Sequence, residues 1–162
     1  MNIWQNYRFV LFYLFAIIFS NVAFSYFPLL PTPLGPIPSM ALFVGFVFVL
    51  RDYAQREHGN RVLLAMFAGC VISAFFAESN VVIASVAAFA VSEIADYLVY
   101  TWTKRPFHER VLLSSLISVP VDTVIFLTLI GVYNPASMVA MSISKIIAAI
   151  VIYMFYLSRG KK

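Results

Sequence analysis

VVIASVAAFAVSEIADYLVYTWTKRPFHERVLLSSLISVPVDTVIFLTLIG, residues 81–131, decides the fold. Two apolar runs, 81–102 and 111–131, flank the basic stretch TKRPFHER at 103–110. A helix that crosses a bilayer needs about 20 mostly apolar residues, and each run supplies them. Neither run has a polar face wide enough for a water-facing helix. Yet Glu93 and Asp96 lie inside the first and Asp122 inside the second.

The rest of the chain repeats this pattern. Apolar spans are expected at 8–27, 39–50, 62–77, 81–102, 111–131 and 136–157. Between them stand PLLPTPLGPIP (28–38), RDYAQREHGNR (51–61), the polar turn Glu78, Ser79 and Asn80, TKRPFHER, and VYNP (132–135). SRGKK (158–162) follows the last. Five prolines in 28–38 deny helix donors and predict a loop. The composition agrees: 62% hydrophobic, 17% aromatic and 11% charged. A soluble domain holds about 45–50% apolar and about 25% charged residues. The expected fold is all-α, a polytopic membrane protein whose residues 1–162 form a single six-helix transmembrane domain.

Ten of the eleven Lys and Arg residues fall on one side of this pattern: Arg8; Arg51, Arg56 and Arg61; Lys104, Arg105 and Arg110; Arg159, Lys161 and Lys162. The alternate loops hold none. The positive-inside rule then predicts a multi-pass membrane protein with both termini cytoplasmic. The same clustering explains the net charge of +4 without a nucleic-acid partner. Trp4, Trp102, Tyr7, Tyr97 and Tyr100 suit an interfacial aromatic belt, and Tyr97 suits packing equally well. The first run is too long for a signal-peptide core and lacks a small-x-small site, so it is expected to be a retained helix. RVLL occurs at 61–64 and again at 110–113, a faint sign of duplicated hairpins.

The eleventh basic residue, Lys145, lies inside the sixth span. With Glu93, Asp96 and Asp122 it makes four intramembrane charges, each costing about 2.5–3.5 kcal/mol at a helix centre. These groups are expected to face the bundle interior and find partners. Lys145 can pair with Asp122, but one lysine cannot neutralise three carboxylates. At least one is then protonated, solvated or waiting for a ligand. Glu93, Asp96, Tyr97 and Tyr100 share a helix face, as do Ser115, Ser118 and Asp122, and Met138, Met141, Ser142 and Lys145. Pro120 frees a carbonyl on the fifth span, which is tolerated where backbone lines a cavity. Ser73 and Ser85 are read as helix-packing residues. A carboxylate can take a guanine-like N–H edge, an amine cation or a proton, and these alternatives stay open.

Enzyme chemistry is not indicated. Cys70 is the sole cysteine and is expected to pack; it can form neither an internal disulfide nor a zinc site. His58 and His108 are expected in solvated cytoplasmic loops, and no nucleophile–base pair is apparent. No metal or cofactor is expected.

Three stretches resemble the vitamin-uptake-transporter family, whose characterised bacterial members carry queuosine precursors. SEIADYLVY from Ser92 is similar to a pattern of Ser, a polar residue, two apolar residues and Asp. SSLISVPVDTVIF from Ser114 is similar to a Ser-Thr-Leu-Ile-Ser…Asp-Thr stretch. RDYAQREHG from Arg51 is similar to a cytoplasmic Thr-Asp…Asn-Glu…Tyr-Gly stretch. Glu93 stands where the family often has Gln, Val119 and Pro120 where a Gln and an apolar residue are usual, and Arg56 at the usual Glu. The resemblance implies uptake of 7-cyano-7-deazaguanine or its aminomethyl relative. It implies that Ser92, Asp96, Ser118 and Asp122 are polar groups of the substrate site. Glu93 and Lys145 join them as intramembrane charges, and Asp52 and Gln55 would belong to a gating or cytoplasmic motif.

The partners expected are therefore the lipid bilayer and a small-molecule substrate. Two other classes fit the sequence less well. The substrate-binding subunit of an energy-coupling-factor transporter also has six spans, but it needs ATPase partners. The chain has no Gly-Lys-Ser/Thr phosphate loop, and only Ala16 and Ser20 suit docking by small residues. A membrane assembly protein would not need three buried carboxylates. The sequence is compatible with a homodimer.

Overall fold

The computed structural model describes residues 3–27, 29–33, 35–76 and 82–159. Among them are six α-helices: α1 (Ile3–Tyr26), α2 (Ala41–His58), α3 (Val62–Phe76), α4 (Val82–Trp102), α5 (Phe107–Leu129) and α6 (Pro135–Arg159). The expected turn at Glu78, Ser79 and Asn80 lies outside the described residues, as do Lys161 and Lys162.

Local chemistry sets the helix ends. Helix α1 stops before Pro28, since the residue preceding a proline is disfavoured in helix. Pro106 caps α5 with an extended backbone. Pro135 opens α6 at the position where a missing N–H costs nothing, and Asn134 Oδ1 accepts from the Ala136 N–H at 2.9 Å.

The proline-rich segment departs from the expected loop. It forms a small antiparallel hairpin, β1 (Leu29–Thr32) with β2 (Gly35–Pro38). Pro31 pairs with Pro36 in this register. A two-stranded sheet has only edge strands, so a proline can turn its missing donor outward without breaking a ladder.

The second expected span is also too short. Helix α2 does not stop at Arg51 but runs on to His58. Gly59, with φ +57, then ends it, and a single 3-10 turn (Gly59–Arg61) leads into α3.

The helices close into a ring in the order α1, α3, α4, α5, α6, α2, with α2 also touching α3, α4 and α5. Gly45 makes the α2–α6 contact possible: a Cβ there would collide with the backbone of Lys145. Four stretches are long and apolar enough to cross a membrane: Phe43–Phe76, Val82–Trp102, Phe107–Leu129 and Pro135–Ser158. Helix α1 adds the shorter apolar stretch Tyr7–Ala23. Large apolar side chains such as Phe67, Phe75, Ile83, Ile117 and Met154 lie exposed on the outside. Polar groups lie inside, so the pattern of a soluble protein is inverted, as lipid requires.

The aromatic and histidine expectations need correction. Tyr7 and Trp102 are exposed, as an interfacial belt would have them. Tyr100 is buried against Phe107, and Arg110 stacks on its ring and donates to its carbonyl. Tyr97 packs beside Val62 and Met66, and its hydroxyl donates to Asn60 at 2.9 Å. The histidines are not solvated loop residues. His58 ends α2, stacked on Tyr7, while His108 lies in the first turn of α5, stacked on Tyr156. Of the two RVLL copies, Val62 and Val111 are equally buried, but Arg61 is exposed whereas Arg110 packs on Tyr100.

Candidate functional site

All eight site residues expected from sequence are buried: Asp52, Gln55, Ser92, Glu93, Asp96, Ser118, Asp122 and Lys145. They form two tiers. The first lies in the half of the bundle nearer the hairpin. Lys145 Nζ stands 2.5 Å from Asp122 Oδ2 and 3.4 Å from Thr123 Oγ1. Ser92 Oγ donates to Asp122 Oδ1 at 3.3 Å. Ten residues separate Lys145 from the start of α6, about 15 Å of rise, so this pair is deep in the bundle.

The second tier surrounds Arg51, whose side chain is 0% exposed. Its guanidinium hydrogen-bonds Asp96 Oδ2 and Gln55 Oε1, lies 3.0 Å from Asp52 Oδ1, and lies 3.6 Å from Glu93 Oε2. Each carboxylate has a further donor. Ser118 serves Asp96 at 3.2 Å, Ser114 serves Asp52 at 3.2 Å, and the Tyr13 hydroxyl serves Glu93 at 3.0 Å. Gln55 Nε2 reaches Thr101 at 2.9 Å. Glu93 Oε1 is buried with no hydrogen-bond partner among the described residues.

This overturns one step of the sequence reading. Arg51 is not a loop cation that marks topology; it is a second buried cation in the bundle core. Helix α2 continues through it because carboxylates on α2 and α4 replace its water. Tyr13, Ser114 and Thr101 were also missed; Tyr13 and Thr101 carried no signal, while Ser114 opens the stretch SSLISVPVDTVIF and could have been found there. The Arg51–Gln55 spacing, i and i+4 on a helix, was the available clue.

A pocket of about 450 Å³, counting its mouth, opens against the first tier. Its polar lining is Ser20, Asn21, Ser73, Ser85, Asp122 and Lys145, and its apolar lining is Val44, Ala88, Phe89, Phe126 and Met141. All six helices contribute. Ser73 and Ser85, read from sequence as packing residues, therefore line it. Asp122 retains lone pairs for a ligand donor, and Lys145 retains an N–H for a ligand acceptor. Phe89 and Phe126 add aromatic surface to the wall. Among the described residues no group of three or more His, Cys, Asp or Glu side chains is placed to hold a metal ion.

A family model described as "Putative vitamin uptake transporter" matches residues 5–158. No curated protein and no solved structure matches the chain.

Proposed function

We propose, from the premise that this chain belongs to the vitamin-uptake-transporter family, that it imports a queuosine precursor or a similar small heterocycle. The substrate class is 7-cyano-7-deazaguanine or its aminomethyl relative. The chain does so as one six-span domain in a prokaryotic inner membrane, with both termini cytoplasmic. Val44, near the start of α2, and Ser73, near the end of α3, line the same pocket, which supports α2 and α3 as antiparallel spans. With Arg51 in the core, Arg8, Arg56, Arg61, Lys104, Arg105 and Arg110 still lie toward the helix ends opposite the hairpin, which supports this orientation.

One observation carries the reading: a pocket that all six helices line ends on a buried carboxylate paired with a lysine. Intramembrane ionisable groups of this kind mark solute paths. A carboxylate accepts the paired N–H donors of a guanine-like edge, the neighbouring ammonium donates to an acceptor, and aromatic faces take the flat ring. The Arg51 tier closes the bundle on the far side.

The test is uptake in a bacterium that neither makes queuosine precursors nor has its own importer. Nanomolar external 7-cyano-7-deazaguanine should restore queuosine in its tRNA. Asp122→Asn and Asp96→Asn, at normal membrane abundance, should each lower that signal. Wild-type protein that is inserted yet restores nothing would remove the queuosine assignment.

A further inference from the structure

The pocket has a second polar wall, distant from any motif in the sequence. Asn21 on α1 and Ser73 on α3 are buried, and Ser73 Oγ donates to Asn21 Oδ1 at 3.3 Å. Asn21 Nδ2 donates to the Ile17 carbonyl at 2.9 Å. A side-chain amide has two N–H donors and an oxygen with two lone pairs. These contacts use one of each. One donor and one acceptor therefore remain on Asn21, which lines the pocket.

The helix ring sets the geometry. Helices α1 and α3 pack on each other, and neither makes a substantial contact with α5 or α6. Asn21 and Ser73 thus stand on the opposite side of the ring from Asp122 and Lys145, with Phe89 of α4 between the two sides. An amide–hydroxyl pair can act simply as glue between membrane helices. Glue alone does not account for its position on the wall of the pocket, with a donor and an acceptor left over.

We propose that Asn21 and Ser73 are specificity-determining residues, which read one hydrogen-bonding edge of a flat, uncharged heterocycle whose other edge meets Asp122 and Lys145. The charges on the lining, Asp122 and Lys145, cancel as a direct pair, which fits an uncharged ligand. This rests on the carrier reading and adds a second contact surface to it.

Two measurements test it. Asn21→Cys and Ser73→Cys, each with Cys70→Ala, are made in inserted protein and exposed to a membrane-impermeant thiol reagent in right-side-out and inverted vesicles. Both cysteines should react from the side that carries the β-hairpin. Labelling from neither side overturns the wall, whatever the substrate is. Second, Asn21→Ala and Ser73→Ala should each raise the KM for 7-cyano-7-deazaguanine about tenfold, the loss of one ligand hydrogen bond, with maximal rate within about twofold. A purely structural role would instead lower abundance and maximal rate together. Unchanged KM in both variants overturns the specificity assignment. If wild-type protein takes up no deazaguanine, the substrate reading fails and the thiol labelling still decides whether Asn21 and Ser73 line the path.

Discussion

Replacing Arg51 with methionine removes the charge while keeping most of the side-chain volume. Three carboxylates then lose their shared cation: Asp52, Glu93 and Asp96. Removing one partner of a buried ion pair costs about 3–5 kcal/mol, because the other charge stays behind. The cost does not triple here. Ser114, Tyr13 and Ser118 still donate to the three carboxylates, and a stranded carboxylate can take up a proton. The expected loss is therefore about 3–5 kcal/mol in all. Soluble-domain scaling for a chain of this length, about 2–4 °C per kcal/mol, makes that on the order of 10 °C in Tm. The assay is thermal melting of the detergent-purified protein, with membrane abundance as a second readout. Asp96→Asn in the Arg51→Met background should recover stability, because it removes one of the stranded charges. The coupling between the two changes should be about 1–3 kcal/mol. Arg51→Met melting within about 2 °C of wild type would refute the argument. So would losses that simply add in the double variant.

Lys145→Met strands Asp122 in the same way and should lower both stability and uptake; adding Asp122→Asn should recover the melting temperature but not uptake, which separates the structural role of the pair from its role with substrate. Gly45→Ala drives a methyl into the backbone of Lys145, where no side chain can swing aside, and should cost about 1–3 kcal/mol by melting while also lowering uptake. Pro120→Ala restores a helix donor that proline removes, a change worth up to about 3 kcal/mol in a helix interior. It should raise the melting temperature and lower the maximal uptake rate with KM unchanged, if the loosened backbone at that point is used in transport.

Much of this was legible because lipid is an unforgiving solvent. Apart from the extension of α2 past Arg51, helix positions follow from apolar length, and Glu93, Asp96, Asp122 and Lys145 stood out because hydrocarbon rejects them. Their burial follows from that penalty, which allowed the Asp122–Lys145 pair without singling it out. Arg51 was not legible for the same reason in reverse. It sits at the boundary between the apolar run 39–50 and a polar stretch, where a cation is expected to be wet. Only the three-dimensional approach of α4, bringing Glu93 and Asp96 to it, shows that it is dry. Asn21 and Ser73 were hidden differently. Neutral side chains can satisfy themselves on the backbone of their own helix, as Asn21 does on Ile17, so their depth in an apolar helix gives no alarm. The hairpin was masked by a sound rule applied too broadly: prolines exclude helix and central strands, but not a pair of edges.

The two tiers are separate in contacts yet adjacent in sequence, and this constrains how a solute could pass. On α4, Ser92 serves Asp122 in the pocket tier, while the next residue, Glu93, meets Tyr13 and Arg51 in the sealed tier. On α5, Ser118 holds Asp96 below and Asp122 holds Lys145 above, with Pro120 midway between them. A ligand that draws Asp122 toward itself must lengthen the Ser92 contact or move α4 with it. Moving α4 displaces Glu93 and Asp96, which are half of the Arg51 seal. Breaking that seal outright would cost several kcal/mol in unpaired charge. The lower-cost route keeps each carboxylate bonded while the helices shift, and the serine and tyrosine donors already in place on α1 and α5 allow it. A helix with one missing backbone bond between its two polar contacts is suited to such a shift, because one of the hydrogen bonds that would resist a tilt of its halves is already absent.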